Sequence, residues 1–349
     1  MNKRTFIKGA VLGAGGLIAD ALGAPSTPAN DGKSAVETAL EPELVICDPH
    51  HHLWDRPGDR YLLDDLRRDA GGHKVTQSVF VECYSGYRPA GPAELRPLGE
   101  TEYVEQIANA GAADADATQI RGIVSFADLM LGKDVDAVLA SHVAASKRLR
   151  GIRHPTASDP ANPDSYRKPP LHMLMDATFR QGFACLKKYG LSFDAWIYHP
   201  QILELADLAN AFPDTTIILD HIGAPLGIGR FAGQRDAVFA DWQRSIATIA
   251  QCPNVVVKLG GLGMPLCGMG WVGNPPSSSE LAAATAPYYL YCIEKFGVER
   301  CMFESNFPVD KASYSYVVLW NSFKRMTQDF SKPERAALFH DTAARVYRL

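Results

Sequence analysis

From Leu44 onward, short apolar runs rich in β-branched residues recur along the chain, at 44–48, 78–83, 120–126, 149–153, 191–197, 215–220, 254–259 and 300–305. Short runs of this kind, bounded by turn-forming residues, read as strands. Between most of them lie stretches whose apolar positions repeat every three to four residues, at 101–113, 134–147, 171–188, 201–211, 236–250, 280–296 and 315–328. That period predicts amphipathic helices. Eight strand–helix units over about 300 residues is the arithmetic of an α/β fold of the (β/α)8 TIM-barrel type, in one catalytic domain. An open doubly wound sheet is the alternative, but no GxGxxG follows the first run. Link lengths point the same way. Helix-to-strand links (147–149, 188–191, 211–215, 250–254) are short, whereas strand-to-helix links (84–99, 154–170, 221–235, 260–279) are long. Barrel enzymes carry their sites on the second kind, so the asymmetry predicts both the fold and its functional face. The Gly-rich link 260–273 lacks the Lys and Ser/Thr of a phosphate-binding loop and reads as a long turn or a lid.

Composition narrows the picture. Of 349 residues 46% are hydrophobic and 21% charged, and 35 Lys+Arg against 39 Asp+Glu gives a net charge of −4. This is a globular composition, and it argues against disorder and against nucleic acid as a partner. The first residues differ from the rest. Lys3, Arg4 and Lys8 precede an Ala/Gly/Leu stretch and the small residues Ala21, Gly23 and Ala24, the layout of a cleavable export signal. Lys3–Lys8 resembles the twin-arginine motif with Lys in place of the first Arg. Residues 1–24 are therefore expected to be an export signal leading to the periplasm, with a cytoplasmic leader as the alternative. Residues 25–43, rich in Ala, Pro, Glu and Ser, read as a solvated linker, and 44–349 as the barrel. Seven scattered cysteines include no CxxC pair, and four of them, Cys47, Cys83, Cys252 and Cys301, sit in or beside strand-like runs where a free thiol acts as a small hydrophobe, which suits export after folding. No later stretch is long enough to span a bilayer, so no membrane partner is expected after signal removal; the oligomeric state is left open.

Ionisable residues gather where the predicted strands end. Side chains alternate along a strand, so in DPHHH the side chains of His50 and His52 share a face with Asp48, and His51 takes the other. Two imidazoles so placed over a barrel axis can bind one cation or hold one carbonyl oxygen. His221 shares a face with Ile217 and Leu219 and lies over the barrel mouth if Leu219 points inward; the bland alternative is a strand cap. The fifth run offers Asp194 and then His199, beside a helix opened by Pro200. Arg153 and His154 close the fourth run, and the Arg fork matches a carboxylate. Glu82 and Lys258 close the second and seventh runs, where an unpaired charge is costly, and mutual pairing across the barrel is the favoured reading. The eighth run carries Glu304 and Asn306 on one face, then Asp310. Either carboxylate can act as a general base; Asn306 can hydrogen-bond but accepts no proton.

Six segments occur in register: Asp48-x-His50-x-His52-x-Trp54, Val81-Glu82-Cys83, Gly151-Ile152-Arg153-His154, Phe193-Asp194 with Pro200-Gln201, Leu219-Asp220-His221-x-Gly223-x-Pro225, and Ser305-Asn306-Phe307-Pro308-Val309. With them the chain from Leu44 resembles the amidohydrolase superfamily, in the branch of dicarboxylate- and sugar-lactone hydrolases. The resemblance implies a hydrolase that opens a lactone or related acyl bond of a small anionic molecule by water attack. It maps the family's first-strand histidines onto His50 and His52 and its strand-six histidine onto His221. The family's strand-eight Asp, a general base and often a metal ligand, falls on Asn306, and Asp194 stands where a strand-five histidine is expected. His50, His52 and His221 are thus expected to polarise the carbonyl, directly or through one divalent metal, zinc by preference, with metal-independence as the alternative. Glu304 or Asp310 is expected to activate water, and Arg153, His154, His199 and Asn306 to bind substrate. Decarboxylation or hydration of an unsaturated acid is the runner-up, and a non-catalytic exported binding protein the third reading.

Overall fold

The computed structural model describes residues 37–160, 162 and 167–349. The expected signal at 1–24 and the linker as far as 36 lie outside the described residues. In chain order the strands are β1 (Val45–His51), β2 (Trp54–Arg56), β3 (Asp59–Tyr61), β4 (Lys74–Val81), β5 (Gln119–Ser125), β6 (Leu149–Ile152), β7 (Ser192–Ala195), β8 (Ile217–Leu219), β9 (Val255–Leu259) and β10 (Cys301–Phe303). β2 and β3 form a small antiparallel hairpin; the other eight pair in parallel, in sequence order, as one sheet. Each coincides with one of the eight apolar runs, and the sheet is a nearly closed TIM barrel.

The ring closes at β10 and β1 just beyond the strand ends. Asn306 N–H donates to the His50 carbonyl (2.9 Å) and His52 N–H to that of Phe307 (2.8 Å). Asp48 braces the same seam, its carboxylate accepting from Ser305 N–H (3.0 Å) and the Tyr316 hydroxyl (2.9 Å). Asp48 therefore does not share the site face with His50. A register shift between Asp48 and His51 in the pairing with β4 breaks the two-residue alternation there.

Ten α-helices accompany the barrel among the described residues: α1 (Leu63–Asp69), α2 (Leu98–Gly111), α3 (Val135–Ala145), α4 (Ala177–Ala184), α5 (Ile202–Ala211), α6 (Arg235–Ile249), α7 (Ser278–Phe296), α8 (Tyr316–Met326), α9 (Lys332–Ala336) and α10 (Thr342–Tyr347). Their starts follow from local chemistry. Ser277 and Glu280 cap α7 reciprocally, and the Asp176 carboxylate takes the N–H of Thr178 and Phe179, which starts α4 later than periodicity predicts. None is long and apolar enough to cross a membrane among the described residues.

The apolar interior has two parts. Outward faces of the strands pack under the helices, with Trp242, Trp320, Phe179 and Phe323 wholly buried. Inside the ring, Cys47, Val79, Val81, Val124, Ile218, Val256 and Met302 form a second cluster with Ala343, Val346 and Tyr347 of α10. Thr342 and Arg345 donate to the carbonyls of Val298 and Glu299, just before β10, so α10 fills the N-terminal end of the barrel. Residues 37–43, expected to be solvated linker, are tied down instead: Leu40 N–H donates to Asn321 Oδ1 (2.8 Å), and Lys324 Nζ donates to the carbonyls of Leu40 and Glu41. All seven cysteines are free thiols, six of them buried.

Candidate active site

The inward series along each strand leads to the site. Ile218, Val256 and Met302 face the barrel axis, and two residues further on stand Asp220, Lys258 and Glu304. All three are wholly buried at the C-terminal end of the barrel. Lys258 Nζ bonds Asp194 Oδ2 (2.7 Å) and lies 3.0 Å from Asp220 Oδ1. Burial opposes its charge, but Asp194, Asp220 and Glu304 outweigh burial and raise its pKa. Glu82 is not its partner. That carboxylate takes Arg153 Nε (2.9 Å) and Arg167 Nη2 (3.1 Å), so the expected Glu82–Lys258 pair is replaced by two separate ones.

The three expected histidines come together. Ring centroids of His50 and His52 are 4.9 Å apart, and those of His50 and His221 4.5 Å. His221 arrives by a turn rather than by alternation. β8 stops at Leu219, Ile218 is the inward residue, and His221 adopts φ +54° in the tight turn Asp220–Gly223. Its Nδ1 hydrogen-bonds Glu304 Oε1 (2.6 Å), and its backbone N–H donates to the same oxygen (3.1 Å). Glu304 Oε2 lies 2.9 Å from His50 Nδ1. Burial would raise the Glu304 pKa, but His221 and His50 carry it down to about 2. His50 also meets Lys258 at Nδ1 (3.2 Å) and Arg153 at Nε2 (3.3 Å). A neutral ring has one lone pair, so His50 can accept from one of these two donors and not from both. Burial and then Lys258 keep the His50 pKa below its ordinary value. His52 Nδ1 donates to the Val81 carbonyl (2.7 Å), and burial holds that ring neutral as well.

These residues fit a divalent cation. His50, Asp220 and His221 each offer a ligand atom within 4.8 Å of the others, a nitrogen and oxygen set that suits zinc. Both Asp220 oxygens and Glu304 Oε2 are buried without a well-directed donor among the described residues. His221 and His52 pass their Nδ1 protons to oxygen acceptors, as metal-bound imidazoles do. Charge agrees. Among the described residues the carboxylates Glu82, Asp194, Asp220 and Glu304 outnumber the cations Lys258, Arg153 and Arg167, so neutral imidazoles leave the cluster negative. A bound cation or a protonated imidazole offsets that excess.

Of the remaining expected residues only Arg153 joins the cluster among the described residues. Asn306 turns its amide to Asp310 Oδ1 (2.8 Å), and Asp310 Oδ2 also takes Tyr314 hydroxyl (2.7 Å) and Gly263 N–H (3.1 Å). Asp310, pushed up to about 6 by burial, is thus filled by a structural network rather than placed to activate water. His154 Nδ1 accepts Leu129 N–H (3.1 Å), and His199 Nδ1 accepts Leu226 N–H (3.1 Å); each ring packs on phenylalanine, outside the cluster. Arg153 is in the cluster, but Glu82 holds it and Asp220 lies 3.5 Å away, so its fork is already occupied. Sequence reasoning left out Asp220 and Asp194 as site residues; the inward phase of Ile218 is the signal for the first. It also left out Arg167, whose guanidinium lies 3.8 Å from the Phe126 ring centroid and hydrogen-bonds Tyr87. A cavity of about 240 Å³ opens nearby between Phe231, Arg235, Leu262 and Tyr288, but none of the clustered groups lines it.

Space for the carboxylate comes from glycine. A Cβ on Gly260 would stand 2.3 Å from Glu304 Cγ, and one on Gly261 2.5 Å from His221 Cβ. Gly260→Ala is expected to cost about 1–3 kcal/mol in overpacking, read as a lower urea midpoint. An unchanged midpoint would show that Glu304 can retreat without loss.

Residues 47–349 match the protein family described as amidohydrolase. The protein y4mH of Sinorhizobium fredii is 36% identical over 330 residues, which cover 88% of this chain and 99% of the relative. The L-fucono-1,5-lactonase of Burkholderia multivorans is 27% identical over 323 residues, covering 86% and 95%. A crystal structure of an amidohydrolase from Burkholderia multivorans with bound zinc shares the fold, with TM-score 0.68 and 24% identity over 87% of this chain and 99% of that one.

Proposed function

Because this chain belongs to the amidohydrolase family, we propose that it is a hydrolase opening a lactone of a small anionic organic acid, a sugar lactone first among the candidates. The observation that carries this reading is the Glu304 carboxylate hydrogen-bonded to His221 Nδ1 and in contact with His50 Nδ1. A carboxylate on Nδ1 fixes the tautomer, leaving Nε2 with its lone pair, and stabilises the ring once it gains a proton. His221 Nε2 then takes a proton from water while the water oxygen bonds the acyl carbon. The ring C–O bond breaks, and the proton passes to the leaving oxygen, giving a hydroxy acid. Water activation is thus assigned to His221 with Glu304 behind it, because both Glu304 oxygens already face imidazoles. Arg153 and Lys258 supply positive charge beside the developing oxyanion. Where His50, His221 and Asp220 instead hold a divalent cation, the His221 lone pair is occupied, and the cation would supply the activation of water and the Lewis-acid polarisation of the carbonyl in place of the His221 base. The leader reading puts this activity in the periplasm, on a small-molecule substrate.

Metal analysis of the purified protein, joined to a pH-stat screen of sugar and dicarboxylate lactones with and without chelator, tests the proposal. Acid release from a lactone is the expected result. Stoichiometric zinc with chelator-sensitive turnover would place the cation in the reaction; metal-free turnover would leave it to the histidines. Carbon dioxide release without ring opening would overturn the reading in favour of decarboxylation.

A further inference from the structure

Beneath the histidines, a line of polar contacts runs down the barrel axis to α10. Tyr347 is wholly buried among the apolar residues of the barrel interior. Its hydroxyl donates to Asp194 Oδ2 (2.5 Å), the oxygen that also takes Lys258 Nζ. Lys258 in turn faces Asp220 Oδ1 (3.0 Å) and His50 Nδ1 (3.2 Å). The Lys258 ammonium also lies 5.4 Å from the Tyr347 ring centroid. Phenylalanine would fill this space equally well, and a buried hydroxyl is costly unless paired. The pairing made is with the floor of the reaction centre.

We infer that Tyr347 is a positioning residue which, through Asp194, holds the Lys258 ammonium against Asp220 and His50. This rests on reading that cluster as the reaction centre. Asp194 Oδ2 is shared between two donors. Without the hydroxyl the carboxylate has Lys258 alone at that oxygen, and the ammonium is drawn toward it, away from Asp220 and His50. Asp220 lacks other well-directed donors among the described residues, so it feels that movement most. The helix that closes the bottom of the barrel thereby sets the charge geometry at its top.

The test compares Tyr347→Phe with Val346→Ala, in the full chain labelled with 15N at the histidine rings. Y347F keeps the ring and its packing and removes only the hydroxyl. V346A loosens the same plug without touching the polar line. Y347F is expected to shift the His50 ring resonances and leave those of His142 and His199 in place, while V346A shifts none of them. On a lactone that the wild type opens, Y347F is expected to lower kcat about 10- to 100-fold with KM nearly unchanged. Unmoved His50 resonances in Y347F, or equal shifts in V346A, would overturn the inference. If the wild type opens no lactone, the functional reading fails and the resonances still decide this one.

Discussion

Glu304→Gln lowers lactone opening by about 10²- to 10⁴-fold. The size follows from what the carboxylate does. It takes the Nδ1 proton side of His221 at 2.6 Å and faces that of His50 at 2.9 Å. An amide of the same shape can neither fix both rings nor stabilise an imidazolium, and general base catalysis of this kind contributes about 10²- to 10⁴-fold. Asp310→Asn is the control. Its carboxylate serves Asn306, Tyr314 and Gly263, so the substitution is expected to disturb stability more than turnover. Equal loss of kcat in both variants, measured at saturating substrate, would return the role of base to Asp310.

Lys258→Met is expected to be the most destabilising single change in the site, by about 3–5 kcal/mol, because removing one member of a buried ion cluster strands the others. Lys258, Asp194 and Asp220 are all wholly buried, with Lys258 2.7 Å and 3.0 Å from the two carboxylates. Urea unfolding reads the loss. Adding Asp194→Asn to Lys258→Met removes one stranded charge and is expected to restore part of the stability, whereas strictly additive losses would show that the two groups do not interact.

Much of the barrel was legible because each strand is covered on both faces and so leaves a continuous apolar run. Such runs need no knowledge of partners. α1, α9 and α10 were not, because five to seven residues carry too little periodicity to register. The histidines of the first and sixth barrel strands were legible by residue type and position. Phasing β8 from Leu219 turns Asp220 away from the axis, whereas Ile218 is the residue that faces it. His154 and His199 illustrate a different obstacle. Each stands near a strand end like His221, but its Nδ1 is filled by a backbone N–H from a loop that only the folded chain brings near. Cross-barrel pairing is equally invisible in one dimension: Lys258 joins Asp194 and Asp220 rather than Glu82, and the Tyr347 hydroxyl meets Asp194 from 153 residues away.

The position of α10 also dictates when the cylinder can dry out. Cys47, Val79, Val124 and their neighbours line a tube whose lower opening is stoppered by Ala343, Val346 and Tyr347, with Leu349 packed against them. A ribosome therefore has to release nearly the whole barrel before water can leave its interior, and until then those side chains offer a greasy socket to chaperones or to other nascent copies.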